Sequence, residues 1–107
     1  MKKIKSINKS ELSDINNPYM IMFTADWCPK CRMVKVMIDA EEAHYQPLDF
    51  YELDVDKNDD IIKEFGIRGL PLLCLFSKNG KEVNRYTDLP EKDSVLLSLG
   101  EFRWKKK

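Results

Sequence analysis

The sequence predicts an α/β domain: a central mixed sheet of four to five strands, flanked by helices on both faces. Three observations predict it. Tyr19–Thr24 (YMIMFT), Phe50–Val55 (FYELDV) and Pro71–Phe76 (PLLCLF) are short, largely apolar runs, the pattern of strands covered on both faces. Apolar residues at helical spacing lie between these runs. Lys78-Asn79-Gly80 then separates the third run from Glu82–Tyr86, a hairpin signal that returns the chain antiparallel.

The elements follow in order. Ile4–Ile7 is a short strand, and Asn8–Ile15, with a polar start and spaced Leu12 and Ile15, is a short helix. Asn16-Asn17-Pro18 is a turn. After the first central strand a long helix starts near Cys28. Its apolar stripe is Met33, Met37 and Ala40 with Val34 and Ile38, while Arg32, Lys35, Asp39 and Glu42 lie mostly elsewhere on the wheel. Gln46-Pro47 ends it. Ile61, Ile62 and Phe65 mark a further short helix, closed by Gly66 at the position that favours a left-handed cap. Glu82–Tyr86 alternates as an edge strand does. Pro90–Arg103 forms the last helix, with Val95, Leu96, Leu99 and Phe102 inward. The order is β-α-β-α-β-α-β-β-α.

The 107 residues suit one domain, 1–107, and a chain of this size buries about two-thirds of its unfolded surface without staples. Lysines plus arginines and aspartates plus glutamates number 18 each, a formal net charge of zero. That balance gives no indication of nucleic acid or an acidic membrane as a partner. The basic end Arg103-Trp104-Lys105-Lys106-Lys107 reads as a solvated helix terminus. Ile4-Lys5-Ser6-Ile7-Asn8-Lys9 has no apolar core, so no secretory leader is expected, and no apolar run approaches membrane-spanning length. The expected location is the cytoplasm, where lasting structural disulfides are uncommon, and an odd count of three cysteines also argues against a disulfide framework. No feature argues for a stable oligomer, so a monomer is expected.

The chemistry concentrates in Ala25-Asp26-Trp27-Cys28-Pro29-Lys30-Cys31-Arg32-Met33. Cys28 ends a strand-to-helix loop, and Cys31 lies in the first helical turn beside it. Free N–H groups and the dipole at the helix start favour a thiolate at Cys28, and Lys30 adds a nearby cation. Both lower a thiol pKa, and the thiolate is the nucleophile. Pro29 pre-sets the helical backbone. The arrangement suits a reversible disulfide in which Cys28 attacks and the more buried Cys31 resolves the mixed disulfide. A zinc site needs four ligands; only Cys28, Cys31, Cys74 and His44 could serve, and the last two lack paired spacing. An iron–sulfur cluster within one chain needs four cysteines. No metal and no bound cofactor is expected. Two inert buried thiols are the blandest alternative, and the helix-start position beside Trp27 counts against it.

Three stretches carry a resemblance to a known family: Phe23-Thr24-Ala25-Asp26-Trp27-Cys28, Phe65-Gly66-Ile67-Arg68-Gly69-Leu70-Pro71 and Leu75-Phe76-Ser77-Lys78-Asn79-Gly80. In sequence and mutual spacing the chain resembles the thioredoxin family along most of its length. The resemblance implies the thioredoxin fold, with Cys28 as the attacking and Cys31 as the resolving cysteine, and Trp27 flanking the pair. It also implies that Pro71 is the family's cis-proline facing the cysteines. The cis bond would expose the backbone of Leu70 for a substrate segment to pair with as an added strand, in a groove made apolar by Leu70 and Leu72.

The chain departs from the family pattern at several points. Pro29-Lys30 stands between the cysteines in place of the usual Gly-Pro. Lys30 should stabilise the reduced thiolate form and make the disulfide more oxidising. The family's buried aspartate is matched by Met22, and its neighbouring lysine by Glu52. Glu52 is therefore the candidate proton acceptor for Cys31, on the expectation that burial without a cationic partner raises its pKa into the useful range; the alternative is a side chain that merely reaches solvent. Val36 replaces a kinking proline, which predicts a straighter helix. Asp88 stands where the family has a glycine, in Thr87-Asp88-Leu89-Pro90.

Cys74 reads as a small core residue, with a regulatory thiol as the lesser alternative. His44 reads as a core or capping residue near a helix end. Met20, Met22, Met33 and Met37 read as core filling behind the cysteines. The functional expectation is a protein-disulfide reductase acting on disulfide-containing client proteins and fed by a separate, thioredoxin reductase-like electron donor. Two alternatives remain at this level. One is glutathione-linked, glutaredoxin-like work, or oxidation and isomerisation, favoured by the Pro-Lys dipeptide. The other is a binding module whose cysteines rarely turn over.

Overall fold

The computed structural model describes residues 2–4, 17–42, 48–57, 59–78 and 80–86. Five strands form one sheet: β1 (Lys2–Ile4), β2 (Tyr19–Thr24), β3 (Asp49–Asp54), β4 (Leu72–Phe76) and β5 (Glu82–Tyr86). Their order across the sheet is β1-β3-β2-β4-β5. β1, β3 and β2 run parallel; β4 is antiparallel to β2, and β5 to β4. The uninterrupted apolar run of β2 is thereby explained, because it occupies the middle of the sheet and all six of its residues are buried.

Side-chain alternation divides β2 between two cores. Tyr19, Ile21 and Phe23 join Tyr51, Leu53, Leu72, Cys74 and Phe76 on one face. Helix α2 (Asp59–Phe65) covers that face through Ile61 and Phe65. Phe65 lies against Phe23 with ring centroids 5.2 Å apart and meets Phe76 edge-on at 6.2 Å. Met20 and Met22 point to the other face with Phe50, Leu73 and Leu75, under Val34 and Ile38 of helix α1 (Pro29–Glu41). Each fully buried side chain of this size contributes about 1.5–3 kcal/mol relative to exposure.

The expected elements are present wherever the described residues reach, with three revisions. The inward line of α1 is Cys31, Val34 and Ile38, each 1% exposed, whereas Met33 is 60% exposed and Ala40 is also exposed. Spacing alone admits either stripe; packing against Met20, Met22 and Phe50 selects the one that includes Cys31. Met33 is accordingly absent from the methionine cluster, which comprises Met20 and Met22 with Met37 at its margin. β5 lies at the edge as expected, but its three central residues are all exposed rather than alternating. β1 begins at Lys2 and not at Ile4.

Gly66 closes α2 with φ +60°. Its N–H donates to Lys63 O at 3.3 Å and that of Ile67 donates to Ile62 O at 3.0 Å, the paired bonds that satisfy the last carbonyls of a helix. Gly80, with φ +86°, turns β4 into β5. The readings at 5–16, His44, Gln46-Pro47, Asn79, Asp88, 90–103 and the basic end lie outside the described residues.

Candidate active site

Thr24 ends β2, and the chain passes through Ala25–Trp27 to the start of α1. A turn forms there, with the Cys28 N–H donating to Ala25 O at 3.1 Å. Cys28 is the N-cap, in extended conformation with φ −97° and ψ 104°. Its Sγ accepts the backbone N–H of Cys31 at 3.2 Å. Pro29 occupies the first helical position, where its missing N–H costs no hydrogen bond. A cysteine sulfur thus takes the place usually held by a serine or aspartate oxygen. Cys28 and Cys31 are joined as a disulfide with Cα atoms 5.3 Å apart. They are 4% and 1% exposed, so Cys31 is the deeper of the two.

The flanking residues take distinct positions. Trp27 is 66% exposed, yet its indole is fixed: Nε1 donates to Asp56 Oδ2 at 2.9 Å. Asp56 lies in the 3-10 turn Val55–Lys57 that follows β3, with its own N–H bonded to Asp54 Oδ1 at 2.9 Å. Arg32 donates to Asp26 O at 3.0 Å and secures the loop from the helix side. Pro29 and Lys30 are exposed. The Leu70–Pro71 peptide bond is cis. Because Leu72 pairs with Phe23 in antiparallel register, Pro71 emerges at the end of the sheet from which the cysteine loop departs. Leu70 is half-buried and Pro71 buried. Leu72 is 2% exposed within the core, so it does not line a surface groove as the sequence suggested.

Behind the pair lies a cavity of about 670 Å³ lined by Thr24, Cys31, Lys35 and Glu52, among others. Glu52 pairs with Met22 across β2 and β3, so both side chains project to the α1 face. Its side chain is 12% exposed, against the alternative of a residue that merely reaches solvent. The expectation of isolation is corrected: Lys35 Nζ lies 3.2 Å from Glu52 Oε1. That contact has ion-pair distance without hydrogen-bond alignment, since Oε1 is buried and accepts no aligned donor. The motifs do not single out Lys35, although its place one helical turn beyond Cys31 was a usable signal. Asp56 carries no comparable signal, being 29 residues from Trp27.

Cys74 belongs to the sheet face covered by α2, opposite the cavity side, with its thiol pushed up to about 12 by burial and then by the charge of Glu82. The two faces of the sheet therefore separate Cys74 from Cys31. Among the described residues no group of three or more histidines, cysteines, aspartates or glutamates could hold a metal ion.

The Thioredoxin family model matches residues 3–100. The chain belongs to the thioredoxin family. It is 37% identical to thioredoxin H2 of Arabidopsis thaliana over 88% of this chain and 69% of that protein. It is 35% identical to a thioredoxin of Chlamydia muridarum over 72% of this chain and 74% of that one. Thioredoxin NaTrxh from Nicotiana alata superposes with a TM-score of 0.81 at 31% identity, covering 95% of this chain and 91% of that structure. The fold is the thioredoxin fold, and the Cys28–Cys31 disulfide supplies its redox pair. The protein is a thiol–disulfide oxidoreductase that reduces protein disulfides.

Proposed function

We propose that Cys28 is the attacking thiol and Cys31 the resolving thiol of a reductase for disulfide-containing client proteins. The observation that carries this reading is the N-cap geometry, with Cys28 Sγ accepting the Cys31 N–H at 3.2 Å. A thiolate there gains from the unpaired N–H groups and the dipole of α1. In the forward cycle the Cys28 thiolate attacks one sulfur of a client disulfide, and the other client sulfur leaves as a thiolate. Cys31 then gives up its proton and attacks Cys28 Sγ. The bond between Cys28 and the client breaks, the second client thiolate leaves, and the Cys28–Cys31 disulfide forms. The client gains two electrons and the protein loses two. A thioredoxin reductase-like donor returns them.

Trp27, Pro29, Leu70 and Pro71 form the client-binding rim in this reading, with the Leu70 backbone offered for strand-like pairing. Glu52 is the acceptor of the Cys31 proton, supported by its burial in the cavity that Cys31 also lines. Lys30 tunes the thiolate from the exposed side. The remaining assignments are a single domain spanning 1–107, a monomer in the cytoplasm serving electron transport and cell redox homeostasis, and no nucleic-acid or membrane partner. Among the described residues no helix is long and apolar enough to cross a membrane.

Insulin-disulfide reduction with dithiothreitol as electron source tests the reading. The wild-type chain should accelerate it, and Cys28→Ser should abolish the acceleration. Cys31→Ser should accumulate a mixed disulfide with the substrate. Failure of Cys31→Ser to trap substrate, with trapping by Cys28→Ser instead, would reverse the two roles. Glu52→Gln should slow resolution of the mixed disulfide at neutral pH by about 100-fold, at the lower end for loss of a general base.

A further inference from the structure

Lys35 leaves the same face of α1 as Cys31, one turn further on, and reaches across to β3. Cys31, Lys35 and Glu52 line one cavity, and the Lys35 ammonium lies 3.2 Å from a Glu52 oxygen that is closed to solvent and accepts no aligned hydrogen bond. We propose that Lys35 is a positioning residue for the resolving step: its ammonium fixes the Glu52 carboxylate at the wall of the cavity onto which Cys31 opens. The inference rests on the reading of Glu52 as acceptor of the Cys31 proton, and adds the group that makes it usable.

β1, β3, β2 and α1 enclose the Glu52 carboxylate, and its strand neighbour is the fully buried Met22. Glu52 Oε1 is closed to solvent, and a carboxylate oxygen that loses hydration costs free energy unless a cation or donors compensate. The other charged groups around the cavity are Lys3, Asp26, Arg32, Asp54 and Lys57. Arg32 is engaged by the Asp26 carbonyl, and Lys57 lies 4.0 Å from Asp54. Lys35 is the cation placed on Glu52. Its stem rises from the helix that carries Cys31, so the ion pair ties the acceptor on β3 to the element that bears the resolving thiol. Positioning of this kind is what proton transfer in a transition state depends on. The balanced step is one proton passing from Cys31 Sγ to Glu52, followed by attack of the Cys31 thiolate on Cys28 Sγ and departure of the client thiolate.

A purely structural ion pair between α1 and β3 is the competing account, and kinetics separate the two. The reduced protein is mixed with dithiobis(nitrobenzoate), which releases one coloured thiolate when Cys28 attacks and a second when Cys31 resolves. Lys35→Met should leave the first phase unchanged and slow the second about tenfold, a fraction of what loss of a general base costs. Lys35→Arg should restore the second phase to within about twofold, because charge and reach are kept. Lys35→Gln serves if the methionine variant does not fold. The double variant with Glu52→Gln should be no slower than Glu52→Gln alone, the non-additivity expected of residues acting as one unit. An unchanged second phase in Glu52→Gln removes the proton-acceptor reading and this inference with it. A slow Glu52→Gln beside an unchanged Lys35→Met, or additive effects in the double variant, overturns the role of Lys35 alone. A lowered melting temperature in Lys35→Met without a slower second phase assigns the pair to structure and likewise overturns it.

Discussion

Cys28 and Cys74 are both buried cysteines, 4% and 0% exposed, and their surroundings give them opposite chemistry. Cys28 Sγ faces the start of a helix and accepts an N–H. Cys74 sits mid-strand among apolar side chains, where burial first, and the Glu82 charge second, push its thiol from 9.0 up to about 12. Native Cys74 should therefore stay unmodified by iodoacetamide near pH 8, with reaction appearing only on unfolding. The folded thiol holds its proton above the pH at which the unfolded thiol releases it, so this contribution to stability is complete below about pH 9 and is lost as pH rises toward 12. Between those limits the melting temperature of the wild type should fall more steeply than that of Cys74→Ala. Equal slopes would show that Cys74 does not carry the effect. At this scale the sequence was readable where chemistry is local. The strand PLLCLF placed Cys74 in the core, and two cysteines at a helix start announced the redox pair. Asp56 on the Trp27 indole depends on a contact between elements that no local pattern encodes, and the helical spacing that sets Lys35 beside Cys31 does not name Glu52 as its partner.

Helices α1 and α2 show the same division one level up. The end of α2 was legible because a left-handed residue is needed there and glycine supplies it cheaply. A Cβ at Gly66 would meet nothing within 4 Å, so the cost of Gly66→Ala is purely backbone. Chemical denaturation should show a loss of about 1–2 kcal/mol, the penalty for an L-residue in the left-handed region. A neutral result would mean that the helix end relaxes to another cap. The buried face of α1 was less legible. Its apolar residues fall on two overlapping stripes, and the sequence contains no reason to bury Val34 and Ile38 while exposing Met33. That reason lies in Met20, Met22 and Phe50 on the sheet beneath. The choice matters for function, since it turns Cys31 and Lys35 toward the cavity and leaves Lys30 outside.

Over the whole molecule, the sheet order places the cysteine loop at the end of the innermost strand, with β3 on one side and β4 on the other. β3 delivers Glu52 and, just beyond its end, Asp56 to the loop; β4 begins immediately after the cis Leu70–Pro71 bond. Buried charge therefore gathers behind Cys31 and exposed charge beside Cys28, and in the proposed cycle the two act on different steps. Lys30 is assigned there to the equilibrium between dithiol and disulfide. A cation that stabilises the Cys28 thiolate, which exists only in the reduced form, raises the reduction potential. The Lys30 side chain is exposed, so its effect on the thiolate is that of a solvated charge pair, about 0.2–1 kcal/mol. For a two-electron couple that corresponds to roughly 4–20 mV. Lys30→Glu, which removes the cation and adds an anion, should move the midpoint to more negative values by about 20 mV, toward the larger end of that range. Equilibration against dithiothreitol, followed by Trp27 fluorescence, measures it. The shift should shrink as salt is raised, because exposed charges are screened within about 10 Å at 0.1 M ionic strength. A shift of this sign that fades with salt assigns Lys30 to thiolate stabilisation. A midpoint that does not move leaves the N-terminus of α1 to set the potential without Lys30.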